Sequence, residues 1–470
     1  MLSIEPFSLD ALKRVRPFIQ QNTSYCSDHS IGAIFMWHAQ DALFFVFNDT
    51  FSMHHSVGGQ KAFSFPVGKN VDGMIDALLK YCKDNKFPLR FYSVSKEMLF
   101  AMQRDARLSS AMGDFDEKWS DYIYSFPEAK TFQGRKYSGQ RNHINKFKRL
   151  YGEPVIRFIE PEDDEKLLTM LERYKEEHPA RNYIEQKEFL KTKELLAAHK
   201  ELGLFAACLE IDEKIVAFSV GEVLGDMLII HIEKALTKYR GAYPTMYQGF
   251  VRLMAEHLGK DLQIVNREDD AGDPGLRMSK QQYQPIGRIH KYLVHIGSPM
   301  AKIKEFPVII KDDIVITAFR ESDKEAYLKL NTDVENNRYW GYDYREDKSL
   351  PETLDENTFY NIAMHDMRVG DSINFAIRER EVGEMIGEGI LWNFAADGSA
   401  ELGCRIFPSC HGKGYGTKAF GAISEFAKTA LDVNVWARCF RQNEASRRMI
   451  EANGFQKVRE DETYYYFERI

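Results

Sequence analysis

Twice along this chain, three apolar runs joined by tight turns lead through a polar loop into an amphipathic helix. The first instance is GLFAACLEIDEKIVAFSVGEVLGDMLIIHIEKA, whose runs are separated by DEK and LGD turns; the loop LTKYRGAYPT and the helix MYQGFVRLMAEHLG follow. The second is SINFAIRE, EMIGEGILW and AELGCRIF, then FPSCHGKGYG, then the helix TKAFGAISEFAKTAL. Nearer the start, DALFFVFNDTFSMHHSV reads as two strands, VDGMIDALLKYCKDN as a helix and LRFYSVS as a strand. A regular βαβ repeat would alternate single strands with helices. Meanders ahead of a helix instead predict an α+β (mixed α/β) arrangement of mostly antiparallel sheets flanked by helices.

A chain of 470 residues exceeds one ordinary core, so several domains are expected. The clearest seam is HIGSPMAKIKEFPVIIKDD, after which the strand DIVITAF and a helix beginning in RESDKEAYLKLNTDV make a fresh start. The expected division is 1–130, 131–298, a linker at 299–311, and 312–470. A net charge of −7 speaks against a dedicated nucleic-acid binder. No apolar stretch approaches the ~20 residues that would cross a bilayer, and MLSIEPFSLDALKRVRPF lacks the apolar core of a signal peptide. A cytoplasmic protein without a membrane partner is the expectation. Cysteines 26, 82, 208, 404, 410 and 439 form no CxxC pair and have no histidine at zinc spacing, so neither a metal nor a disulfide framework is expected.

The stretch FPSCHGKGYGTKAF places three alternating glycines between a strand and a helix. Such a turn makes an anion site, because first-turn amides and the helix dipole favour negative charge and glycines let a phosphate approach. A P-loop needs Lys-Ser or Lys-Thr after its last glycine, and here Thr417-Lys418 has the wrong order. Gly414-x-Gly416-x-x-Ala419 fits a dinucleotide fingerprint locally. However, the next strand, VNVWARCF, ends in Arg438 and Arg441 without the required acid.

Residues 310–470 resemble a GNAT-superfamily N-acetyltransferase, close to the branch that acetylates ribosomal-protein N-termini. The superfamily's pyrophosphate loop, Arg/Gln-x-x-Gly-x-Gly/Ala, matches His411-Gly412-Lys413-Gly414-Tyr415-Gly416, with histidine in the first place. The next motif matches VWARCFRQNEASRRMIEANGF through Asn443, Ser446 and the Asn453-Gly454-Phe455 turn. The resemblance implies acetyl-CoA as donor and a small-molecule or peptide amine as acceptor. It places coenzyme A against Cys404, Ile406, Phe407, His411, Gly412, Lys413, Gly414, Tyr415, Gly416, Thr417 and Asn443. By the same analogy Glu401 is the general base, directly or through water. Ser446 hydrogen-bonds the sulfur, since Ile450 stands where many relatives carry a tyrosine acid. Cys404 and Cys410 are read as structural.

In the N-terminal part, GRKYSGQRNHINKFKRLYG carries Arg141 and Lys146 on a helix whose apolar face is Ile144, Phe147 and Tyr151. NREDDAGDPGLRMSKQQYQP gathers Asn266, Glu268, Asp270, Arg277 and Lys280, either a site or turn chemistry. Both segments, with HIEKALTKYRGAYP, resemble the phosphatidylglycerol lysyltransferase C-terminal domain family across residues ~1 to 298. That implies two GNAT-like folds in tandem, hence three modules in all. The tandem unit would be an aminoacyltransferase fed by charged transfer RNA, or a non-catalytic module that recruits or senses substrate for the acetyltransferase.

Overall fold

The computed structural model describes residues 2–469 apart from 22–23, 39–41, 58–59, 180–182, 348–349, 352 and 396, and leaves the side chains of 183 and 184 undescribed. The chain divides into two compact units. One comprises Met1–Ala77, Phe91–Lys96 and Phe115–Tyr292; the other comprises Leu78–Arg90, Glu97–Asp114 and Leu293–Ile470.

The first unit holds two sheet systems. In one, Ser3–Pro6, Leu43–Val46, Thr50–Val57 and Gln60–Ser64 form an antiparallel meander, and after a helix that begins at Val71 the strand residues Phe91 and Tyr92 pair in parallel with Phe63 and Ser64. In the other, the strand order is Gly287–Ile289, Asp121–Ser125, Ile264–Asn266, Met227–Ala235, Lys214–Leu224, Phe205–Ile211, Val155–Phe158. Its hairpin at Ile211↔Lys214 turns through Asp212 and Glu213, both at positive φ as a two-residue type I′ turn demands. Met227–Ala235 and Ile264–Asn266 run parallel, joined by the helix Ala242–Leu258. That helix buries Met246, Tyr247, Phe250 and Met254 against Tyr124, Phe132, Phe147 and Leu228.

The second unit carries the sheet Ile309–Lys311, Ile314–Thr317, Ile373–Glu379, Met385–Trp392, Ser399–Ile406, Asn434–Phe440, Tyr464–Arg469, Phe455–Glu460. The same plan returns: a meander, the helix Tyr415–Ala430, then a parallel strand. Ala419, Phe420, Ile423 and Ala427 of the helix pack on Ala400, Leu402, Val435 and Ala437. Burying that apolar helix face against the sheet fixes where the helix begins, and hence where the glycine turn lies. All three sheets therefore share one GNAT-like design: antiparallel strands, a helix, and one parallel neighbour. The acidic segment follows directly on the short strand Ile264–Asn266.

Candidate functional site

The helix Tyr415–Ala430 starts at Gly414, its N-cap, with φ +77°, and Gly412 lies at φ +78°. L-residues avoid this left-handed region, which is why glycine occupies both positions. A Cβ built on Gly412 or Gly414 would meet nothing within 4 Å, so the turn is open on that side. The first bond inside the helix is Lys418 N–H to Gly414 O at 3.1 Å, and the amides of Tyr415, Gly416 and Thr417 have no partner in the helix. The Tyr415 ring turns inward, its hydroxyl donating to Glu379 at 2.7 Å, while the Lys413 ammonium lies 5.5 Å from that ring. His411 Nε2 sits 2.8 Å from the Ile406 carbonyl oxygen, which occupies that ring nitrogen and leaves Nδ1.

Beside the turn the sheet opens. Ser399–Glu401 pairs in parallel with Asn434–Trp436, and the ladder then stops. From Leu402 to Ile406 the strand keeps its antiparallel partner on one side only, Gly387–Leu391. This leaves the edge from Cys404 to Ile406 without a strand partner on the other side, where His411 meets the Ile406 carbonyl, while the Phe407 N–H turns back to the Ile386 carbonyl at 2.8 Å. The Cys404 thiol points to the Gly416 carbonyl at 3.8 Å, and burial pushes it up to about 12, an inert state.

At the last paired position Glu401 is 2% exposed. Arg438 Nε faces its Oε1 at 2.9 Å, and Asn393 Nδ2 donates to its Oε2 at 2.7 Å. Burial lifts this carboxyl above the ordinary glutamate range, against the pull of Arg438 and Asn393. Both partners escaped the sequence reading. Trp436 and Arg438 share a strand face, but only the parallel pairing with Ser399–Glu401 brings that face beside Glu401. Asn443 caps the helix Glu444–Glu451, its Oδ1 accepting from Ser446 N–H at 3.1 Å, and Ser446 is half-buried at that helix start. Ile450 is core, 1% exposed.

In the first unit, five of the seven singled-out residues gather in one network. Asn266 donates to Asp121 at 2.9 Å, and its Oδ1 accepts from Glu268 N–H at 2.7 Å. Asp270 takes Arg277 Nε at 2.9 Å and the Tyr122 hydroxyl at 2.7 Å; burial would raise it, but these bonds hold it down at about 2. Lys280 Nζ donates to the carbonyls of Arg267, at 2.6 Å, and Asp269, and burial lowers it to about 8. His231, which the sequence did not single out, lies buried between Glu222 at 2.9 Å and Glu268 at 2.8 Å. Burial alone would lower it, yet the two carboxylates carry it to about 9. Arg141 and Lys146 stand apart on the helix Ser138–Tyr151, where Arg141 Nη1 donates to the Gly134 carbonyl at 2.6 Å and also to that of Phe132.

The loop of this unit that corresponds to the glycine turn is closed. Gly241, at φ +95°, caps the helix Ala242–Leu258, and a Cβ there would lie 2.4 Å from the His143 carbonyl oxygen. The basic helix thus fills the space that the C-terminal turn leaves open. Among the described residues, no cluster of three or more His, Cys, Asp or Glu is arranged to hold a metal. No helix among them is long and apolar enough to cross a membrane.

Comparison with known proteins agrees with this architecture. Residues 20–295 match the family model "Phosphatidylglycerol lysyltransferase, C-terminal", and residues 313–456 match "Acetyltransferase (GNAT) domain". An uncharacterized protein of Mycoplasmoides gallisepticum is 27% identical over 186 residues, which are 38% of this chain and 57% of that protein, so the match spans little more than half of the relative. The uncharacterized N-acetyltransferase YoaA of Bacillus subtilis is 25% identical over 154 residues, 32% of this chain and 84% of its own. A conserved protein of unknown function from Bacteroides thetaiotaomicron shares the fold across 63% of this chain and all of its own, with TM-score 0.56 and 24% identity. The C-terminal match supports the broad class of acyl transfer for that domain. With more than half of its length covered by the first model, the chain belongs to the phosphatidylglycerol lysyltransferase C-terminal family, and it carries an acetyltransferase (GNAT) domain behind that region.

Proposed function

We propose that the C-terminal domain moves an acetyl group from acetyl-CoA to a primary amine, small molecule or peptide, by direct attack in a ternary complex. The observation that carries this reading is the open turn at Gly412–Gly416 beside strands that part after Glu401. Unpaired first-turn amides and a helix N-terminus suit a pyrophosphate, and the strand edge without a strand partner from Cys404 to Ile406 suits an extended amide-bearing arm. Bound there, acetyl-CoA supplies an activated thioester. Gly412, Lys413, Gly414, Tyr415, Gly416 and Thr417 would hold the phosphates through backbone, with His411 Nδ1 beside them. Glu401 takes the amine's proton, directly or through water; its raised carboxyl suits a base working near neutrality. Ser446 offers a hydroxyl toward the sulfur, and Asn443 steadies the helix start that presents it.

The boundaries 1–130, 131–298 and 312–470 belong to the same proposal, one module to each sheet system. The N-terminal pair serves as a recruiting or sensing module, a reading supported by the filled space at Gly241. Aminoacyl transfer from charged transfer RNA is the second reading, favoured by the solvent-facing His143, Lys148 and Arg149 of the basic helix. Calorimetric titration of the full chain with acetyl-CoA tests the assignment. One equivalent bound is expected. No heat removes the acetyltransferase reading, and two equivalents remove the distinction between the units.

A further inference from the structure

Cross-strand neighbours share a sheet face. The register Trp392↔Glu401↔Trp436 therefore sets an indole on each side of the Glu401 carboxylate. Continuing by twos, Gly403 and Arg405 lie on that face of one strand, and Arg438 and Phe440 on that of the next. The alternate positions, Ala400, Leu402, Ala437 and Cys439, are core. This aromatic face remains partly accessible: Trp392, Trp436, Phe440 and Tyr464 are only partly buried.

Two sides of the face are built by residues 338–342. Trp340 packs between the Arg405 guanidinium, 4.5 Å away, and Trp392, with ring centroids 6.2 Å apart. A Cβ on Gly403 would come within 2.8 Å of Trp392 and 2.9 Å of Trp340, so glycine is what lets both indoles settle on the strand. Arg405 is held by Glu388 at 2.7 Å, Asn331 at 2.9 Å and Asn337 at 2.7 Å, all buried, which makes that wall rigid. Opposite, Tyr339 meets Phe440 at 5.7 Å and Phe440 meets Tyr464 at 4.6 Å. Between the walls Arg438 gives its Nε to Glu401 and lies 4.9 Å over the Tyr464 ring. Its two Nη nitrogens make no hydrogen bond among the described residues.

We propose that the acceptor is a free α-amino acid with an aromatic or bulky apolar side chain. Its ammonium meets Glu401, its carboxylate the Nη pair of Arg438, and its side chain the Trp340–Trp392 wall. This rests on the acetyl-transfer reading above. A polyamine needs several free carboxylates in series, whereas on this face Glu388 is tied to Arg405 and Glu401 is already countered by Arg438, which repels a second cation. A peptide N-terminus would present a neutral amide to that guanidinium and forgo the bidentate pairing that carboxylates make with arginine. The ammonium first gives up one proton through Glu401 to water. The freed nitrogen then bonds to the acetyl carbon as the thioester C–S bond breaks, and its second proton ends on the sulfur, giving an N-acetyl amino acid and free thiol.

The test measures thiol release by the full chain with acetyl-CoA and L-phenylalanine, L-tryptophan, phenethylamine, spermidine or a serine-initiated peptide. We expect kcat/KM for phenylalanine at least tenfold above that for phenethylamine, which lacks the carboxylate. Arg438→Gln should shrink that gap below threefold by raising KM for phenylalanine, and Arg438→Lys should restore part of it. Preference for phenethylamine, spermidine or the peptide overturns the proposal, as does a gap that survives Arg438→Gln. Acetyl-CoA binding heat separates the two levels: heat without amino-acid turnover sinks the acceptor assignment alone, and absence of heat sinks both. The same heat measured on Arg438→Gln shows that the variant is folded.

Discussion

Glu401 is a buried acid on the strand Ser399–Ile406, and its environment explains how it can be both ionisable and useful. A buried carboxylate without partners would be costly, and Arg438 with Asn393 offset that cost while leaving it above its ordinary range. Such a group accepts a proton near neutrality better than an exposed glutamate does. Glu401→Gln keeps the shape and removes the proposed base, so on that reading kcat/KM for the acceptor should fall by about 10²-fold or more. The wild-type rate should also climb with rising pH as this carboxyl loses its proton, with a midpoint above the ordinary ~4.3 of glutamate. In the variant that acid limb should vanish, which a pH–rate profile of both enzymes would read. An unchanged limb would hand the proton to another group. The acid was legible in SAELGCRIF as a break in the apolar pattern. Its partners were not, because Arg438 lies 37 positions on and reaches it only through a parallel pairing that no local pattern specifies.

Two glycines in equivalent strand-to-helix loops do opposite things at the level of the element. Gly414 and Gly241 both cap helices at positive φ, so each position alone asks for glycine. Around Gly414 there is room; at Gly241 the backbone of the basic helix closes in. Gly414→Ala should therefore cost about 1 kcal/mol, the left-handed penalty alone, and on the proposed reading should weaken acetyl-CoA binding. Gly241→Ala adds a collision with a carbonyl to the same penalty and should cost about 3 kcal/mol, with acetyl-CoA affinity unchanged. Thermal melts paired with calorimetry on both variants check the contrast. Equal binding losses would mean that the N-terminal loop also faces the cofactor. The meanders and the helices after them were readable from period-two and helical patterning, since each buries a local stripe. The plug was not, because it joins His143 to Gly241 across nearly a hundred residues. Likewise the tie from His411 to the Ile406 carbonyl is a choice of side-chain orientation that sequence spacing leaves open.

Across the whole molecule, the compact unit that holds the C-terminal sheet takes in more than the residues after the seam read at 295–313. Leu78–Arg90 and Glu97–Asp114 belong to the same compact unit as residues 293–470. Within that unit Asp371 accepts from Arg90 Nε at 2.8 Å and sits 3.0 Å from His295 Nδ1. Asp114 accepts from Arg368 and lies 3.3 Å from His365. Ser298 Oγ also donates to the Gly370 carbonyl at 2.5 Å. Arg90 and Asp371 are 6% and 15% exposed, so the pair is largely sheltered from solvent. Removing one member of a buried ion pair costs about 3 kcal/mol, because the other is left uncompensated. A fragment spanning 299–470 keeps the glycine turn, Glu401 and Arg438, yet loses Arg90, Asp114, His295 and Ser298 together. Burial raises the Asp371 carboxyl while His295 and Arg90 lower it, so in the intact chain the net shift is downward. The stability it contributes is present above the unfolded carboxylate value of about 3.9 and is lost as pH falls through the lower folded value. The fragment should accordingly melt well below the corresponding transition of the full chain at pH 7, and the difference should narrow toward pH 3. Calorimetric melts of both proteins across that range measure it. A fragment as stable as the intact unit at neutral pH would mean that the linker, and not the contact network around Asp371, marks where the domain begins.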